Sequence, residues 1–101
     1  MKALLLNPDS QSIEELEISG LDDIKELVGF DTITSDAVGN TGDRIYFDEE
    51  CFLRQTGGRF QVDTLIPISG KAVIVGADED GETLRDVVLG ADELGGRVKY
   101  L

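Results

Sequence analysis

The apolar positions of this chain come in short runs broken by glycine, proline and acidic residues. "KALLLN" (2–7) is a compact apolar run stopped by Asn7, Pro8, Asp9 and Ser10, the signature of a buried strand entering a turn. In "SIEELEI" (12–18) Ile13, Leu16 and Glu17 suit a helix, whereas Glu14, Leu16 and Ile18 alternate; the short turn before it and the quick close at Ser19-Gly20 favour a strand. "SGLDDIKELVG" (19–29) predicts a helix over 21–28. Ser19 or Gly20 caps it, Asp22 and Asp23 occupy its first turn, Gly29 ends it, and Leu21, Ile24, Leu27 and Val28 form one stripe.

Period two then takes over. "FDTITSDAV" (30–38) reads as a strand and "GNTGD" (39–43) as a loop. "RIYFDEECFLR" (44–54) reads as a hairpin, with Ile45 to Phe47 on one arm, Asp48, Glu49 and Glu50 in the turn, and Phe52 and Leu53 on the other arm. Tyr46 and Phe52 are then cross-strand packing partners. "FQVDTLI" (60–66) alternates until Pro67 ends it. Ala72 to Val75 is a buried strand and Thr83 to Leu89 a β-branched one, joined by "GADEDGE" with Gly81 free to take a positive φ. In the tail, Ala91, Leu94, Val98 and Leu101 recur at helical spacing, but Gly95 and Gly96 interrupt them at about 1 kcal/mol each. The pattern predicts an α+β domain spanning 1–101. It would hold a mostly antiparallel sheet of about six strands, one helix packed on it, and a possible short C-terminal helix.

With 101 residues, 41% of them apolar, the chain suffices for one modest core. Its formal charge of −12 argues against direct binding of nucleic acid or anionic membranes, which need Lys and Arg, and permits a basic protein or a metal cation as partner. A single cysteine excludes an internal disulfide. The first apolar run is too short for a signal sequence and no run is long enough to span a membrane, so a soluble cytoplasmic protein is expected.

The chemistry-bearing candidates are two acidic turns: Asp48, Glu49, Glu50, and Asp78, Glu79, Asp80, Glu82. Aligned as a calcium loop with Gly81 at position six, the second turn places Asp78 and Asp80 at positions three and five. Gly76 and Val87 then stand where carboxylates are required at one and twelve, so a solvated turn is the better reading. Histidine is absent, which removes the commonest general base and metal ligand. Cys51 follows three carboxylates that disfavour a thiolate, so a structural role is expected. Gly57-Gly58 and Gly95-Gly96 lack the strand and helix context of a dinucleotide loop.

Val28-Gly29 after the helix, Asp48-Glu49-Glu50 in mid-chain, and the apolar run from Gly70 to Gly76 resemble a family of small plasmid, phage and mobile-element proteins of unknown function. Family members often carry Asn-x-x-Ala before the late strand, where this chain has "FQVDTL". The resemblance implies a compact α+β domain and a mobile-element origin, and brings no catalytic residue or cofactor. The expected function is that of an acidic accessory or interaction protein without catalysis. Two alternatives stay open: an acidic decoy that mimics nucleic acid toward a basic protein, and a carboxylate-based metal or small-ligand binder or enzyme.

Overall fold

The computed structural model describes residues 1–54, 58–78 and 83–101, with the backbone alone at Phe52 and Arg54. In chain order the elements are β1 (Lys2–Asn7), β2 (Ser12–Glu17), α1 (Leu21–Val28), β3 (Ile33–Val38), β4 (Asp43–Asp48), α2 (Cys51–Arg54), β5 (Arg59–Val62), β6 (Ile68–Ser69), β7 (Ala72–Ala77), β8 (Leu84–Arg85), α3 (Ala91–Gly95) and β9 (Val98–Tyr100). The fold is α+β. A six-stranded sheet runs β2-β1-β7-β4-β3, with β8 paired to one end of β7, and a three-stranded sheet runs β6-β5-β9. Every pairing among the described residues is antiparallel.

The large sheet is covered on both faces, and β7 shows why its sequence lacks alternation. Ala72 and Ile74 point to one core, together with Leu4, Leu6, Ile45, Phe47 and, from the small sheet, Phe60, Val62 and Ile68. Val73, Val75 and Ala77 point to the other, together with Ala3, Tyr46 and the α1 residues Ile24 and Val28. A strand at the centre of a sandwiched sheet needs apolar residues on both faces, and all six residues of "AVIVGA" are buried. Gly76 breaks the apolar run because a side chain there has no room. A Cβ would lie 2.6 Å from the Asp86 carbonyl and 2.8 Å from Arg85 Cγ, where β8 crosses close to β7.

Three expectations are corrected. The predicted 44–54 hairpin is one strand followed by a helix. Asp48 Oδ1 accepts the Glu50 N–H at 3.1 Å and the Thr32 hydroxyl at 2.7 Å, and this Asx turn redirects the chain. Phe47 and Cys51 then both enter the core shared by the two sheets. The helical spacing of the tail holds only to Gly95. Val98 and Tyr100 instead alternate around exposed Lys99 in β9, which pairs with β5. Of the expected strand 83–89, only Leu84 and Arg85 pair with β7. Residues 86–89 cross the end of the large sheet instead. The Val87 N–H donates to the Lys2 carbonyl at 2.9 Å, and the Lys2 N–H donates to the Asp86 carboxylate at 2.8 Å. The small sheet, in which β5 pairs with both β6 and β9, has no signature of its own in the sequence pattern.

Candidate functional site

Among the described residues two aspartates are buried, and both hold backbone. Asp43, 1% exposed at the start of β4, accepts the N–H groups of Val88 and Leu89 at 2.9 Å each, with the Thr41 hydroxyl 3.5 Å away. It fixes the crossing segment to the large sheet. Asp48, 3% exposed, is turned inward by the Asx turn just described. Of the first acidic turn, only Glu49 and Glu50 are therefore exposed. In the second turn Asp78 is exposed and paired with Arg85 at 2.7 Å; Glu79, Asp80 and Glu82 lie outside the described residues.

The concave surface lies elsewhere, along α1. This helix has an extended Gly20 at its start and no side-chain cap, but Asp23 reaches back to accept the Ser19 N–H at 2.6 Å. Asp22 and Asp23 complement the positive end of the helix dipole. At the other end Gly29 takes φ 93°, a left-handed cap that turns the chain into Phe30 and Asp31. Because α1 buries Ile24 and Val28 against the sheet, Asp22 and Glu26 are left on its solvent side, one turn apart.

Three adjoining concavities follow from this arrangement. A shallow one lies at the start of α1, around Ser19 to Asp23. A groove of about 760 Å³ runs along Asp22, Lys25, Glu26, Gly29, Phe30, Asp31 and Thr32. A smaller cleft of about 240 Å³ follows at the end of the helix, lined by Asp9, Glu26, Phe30, Asp48, Ser69 and Lys71 among others. Shared residues link them: Asp22 the first pair, Glu26, Gly29 and Phe30 the second. Six carboxylates line this row (Asp9, Asp22, Asp23, Glu26, Asp31 and Asp48) against two ammonium groups, Lys25 and Lys71. Asp9, Asp22, Glu26 and Asp31 are exposed, and Asp9 also accepts the Gly58 N–H at 2.6 Å.

The row is charged but not convergent. Among the described residues no three His, Cys, Asp or Glu side chains are placed to hold a metal ion. At the small cleft, Ser69 is 5% exposed and its hydroxyl oxygen has no hydrogen-bond partner. The only bidentate ion pair among the described residues, Arg97 with Asp63, sits apart at the turn after β5. There the Arg97 hydrogen bonds hold the Asp63 carboxyl below its ordinary range, desolvation opposing and the guanidinium charge assisting.

The two acidic turns drew attention in the sequence because their charges are contiguous. The row along α1 is assembled from residues far apart in the chain. Its one local signal is the Asp22–Glu26 pair on the polar face of the helix; Asp9 and Asp31 arrive through turns that flank β1 and β3. Among the described residues no helix is long and apolar enough to cross a membrane. Comparison with protein-family models, with curated proteins and with solved structures finds no match to this chain.

Proposed function

We propose that this protein is an interaction module without catalysis of its own, which engages a basic protein surface through the acidic row along α1. The observation that carries this reading is the lining of that row: six carboxylates, four of them exposed, against two lysines. Carboxylates spread along a groove, rather than gathered around one point, suit a surface of several positive charges better than a single metal ion. The formal charge of −12 adds a long-range field that speeds encounter with such a surface and opposes nucleic acid.

A linear series of negative charges also supports the decoy variant, in which the partner is a nucleic-acid-binding protein and this chain occupies its cleft. The mobile-element resemblance of Val28-Gly29, Asp48-Glu49-Glu50 and Gly70 to Gly76 agrees with that setting. So does a cytoplasmic location for a chain with one free, buried cysteine.

The test is binding of a fluorescent lysine- and arginine-rich peptide, followed by anisotropy from low to high salt. The expected result is affinity that falls steeply as the screening length shortens, to about 8 Å at physiological ionic strength. The combined changes Asp22→Asn, Glu26→Gln and Asp31→Asn should weaken binding about tenfold at low salt while leaving the circular dichroism spectrum intact. Competition by duplex DNA for a basic, DNA-binding partner would select the decoy. Affinity indifferent to both salt and these substitutions would defeat the proposal.

A further inference from the structure

The large sheet has two edges, and the chain treats them differently. β2 carries Glu14, Glu15 and Glu17 among its six residues, and its neighbour α3 lies beside it. Charged side chains on an edge strand are a standard guard against added strands. β3, "ITSDAV", carries one charge, Asp36, and neither proline nor lysine. Among the described residues it pairs with β4 alone.

Its hydrogen-bonding phase follows from one bond. The Glu49 N–H donates to the Thr32 carbonyl at 2.6 Å, and the register continues as Ile33 opposite Asp48 and Thr34 opposite Phe47. In an antiparallel pair, hydrogen-bonded and non-hydrogen-bonded positions alternate. Thr34, Asp36 and Val38 therefore bond to β4, while the backbone groups of Ile33, Ser35 and Ala37 point outward. Two of those are used locally: the Ile33 N–H donates to the Asp31 carbonyl at 3.0 Å, and Arg44 donates to the Ser35 carbonyl at 3.1 Å. The N–H groups of Ser35 and Ala37 and the carbonyls of Ile33 and Ala37 remain for another strand. The acidic groove adjoins the start of this edge, since Asp31 and Thr32 line the groove and lead directly into Ile33.

We infer that β3 receives an extended segment of a basic partner protein as an added strand, with the segment's lysine or arginine side chains entering the groove at Asp22, Glu26 and Asp31. Backbone hydrogen bonds supply the affinity and the groove supplies the selection, the usual division in strand addition. Arg44 already reaches the Ser35 carbonyl, so the segment is uncharged opposite Ser35 and basic only at the end beside Ile33. A second copy of this chain is the poorer occupant, because each copy brings a formal charge of −12. This inference rests on the proposed engagement of basic surfaces and adds where and how the partner binds.

The probe is a blocked octapeptide of alternating Lys-Val and Thr-Val units, with its two lysines at one end, titrated into the isotope-labelled protein. Amide exchange read by NMR should slow at Ser35 and Ala37, with little change at Thr34 and Asp36, which are already bonded to β4. Ala37→Pro removes an outward N–H without touching the β4 ladder and should weaken the peptide about tenfold. If that variant does not fold, the wild-type exchange pattern decides alone. Binding that depends on Asp22, Glu26 and Asp31 while Ser35 and Ala37 stay unchanged would overturn strand addition and leave the acidic interaction intact. No binding at any salt would overturn both. Protection of Ser35 and Ala37 that grows with protein concentration, without peptide, would assign the edge to a second copy and refute the basic segment.

Discussion

Replacing Asp43 by alanine should destabilise the protein by about 2–4 kcal/mol. The carboxylate accepts the Val88 and Leu89 N–H groups at 2.9 Å, from a position 1% exposed. A hydrogen bond to a charged group contributes about 1.5–3 kcal/mol, and a buried donor left without an acceptor costs about 1–3 kcal/mol. The two donors are not equal. The Leu89 bond is buried, so its donor is left unsatisfied when the carboxylate is gone, whereas the Val88 bond is only partly buried. Most of the loss therefore sits on Leu89, which keeps the total below the sum of two full bonds.

Asp43→Asn separates charge from shape. The amide retains one acceptor oxygen and turns a donor toward the second N–H, so about 1–3 kcal/mol should be lost. Urea denaturation measures both variants, and the midpoint should move while the slope stays constant. In thermal unfolding each kcal/mol corresponds to about 4–8 °C for a domain of this size, so the alanine variant should melt at least about 8 °C lower. Exchange at the Leu89 amide should quicken before global unfolding if the crossing segment opens locally. An alanine variant within about 0.5 kcal/mol of wild type would refute the claim that this carboxylate holds the late part of the chain to the large sheet.

Gly76→Ala should cost about 1–3 kcal/mol, because its Cβ would meet the Asp86 carbonyl at 2.6 Å; denaturant unfolding checks it, and a neutral outcome would mean β8 yields freely. Asp63 has a lowered pKa, so its contribution is present above the ordinary aspartate value near about 3.9 and is lost as pH falls through the lower folded value. Asp63→Asn, which still suits the positive φ of 51° there, should cost about 1 kcal/mol or less near neutrality, the pair being about a third exposed. That deficit should shrink in acid titrations followed by circular dichroism, as pH falls below the ordinary aspartate range and through the lower folded value. Cys51 is 1% exposed inside the core, so alkylation of the native protein should be slow and should speed up in denaturant; fast labelling near neutral pH would contradict its burial.

The parts of the fold legible in the sequence are those whose pattern is decided locally. The helix over 21–28 has its stripe, acidic first turn and terminal glycine within eleven residues, and the structure places it at the same bounds. The apolar runs of β4 (Ile45 to Phe47) and β7 are likewise visible, since both strands bury residues on the two faces of the covered sheet. The pattern is ambiguous where two periods coincide. Leu94 and Val98 are four apart and fit a helix, yet Val98 and Tyr100 also alternate, and pairing with Gln61 and its neighbours in β5 settles the matter. Phe52 and Leu53 after an acidic turn resemble a returning strand, but the Asx turn at Asp48 starts a helix, and that depends on Thr32, sixteen residues earlier.

The acidic row was hidden for a different reason. A run such as Asp48-Glu49-Glu50 stands out by adjacency, yet chain neighbours in a turn point in different directions, and here one of the three is drawn into the interior. Charges that act together must share a surface, which the helix repeat and the packing of loops decide. Asp22 and Glu26 share one because α1 commits its other side to Ile24 and Val28. Asp31 joins them because Gly29 reverses the chain at the helix end, and Asp9 because the turn after β1 packs against Gly58. The same reversal places Asp31 and Thr32 directly before the unguarded strand β3. One turn of backbone thus sets an acidic groove beside an open row of hydrogen-bonding groups, and that adjacency is what a basic, extended segment would recognise.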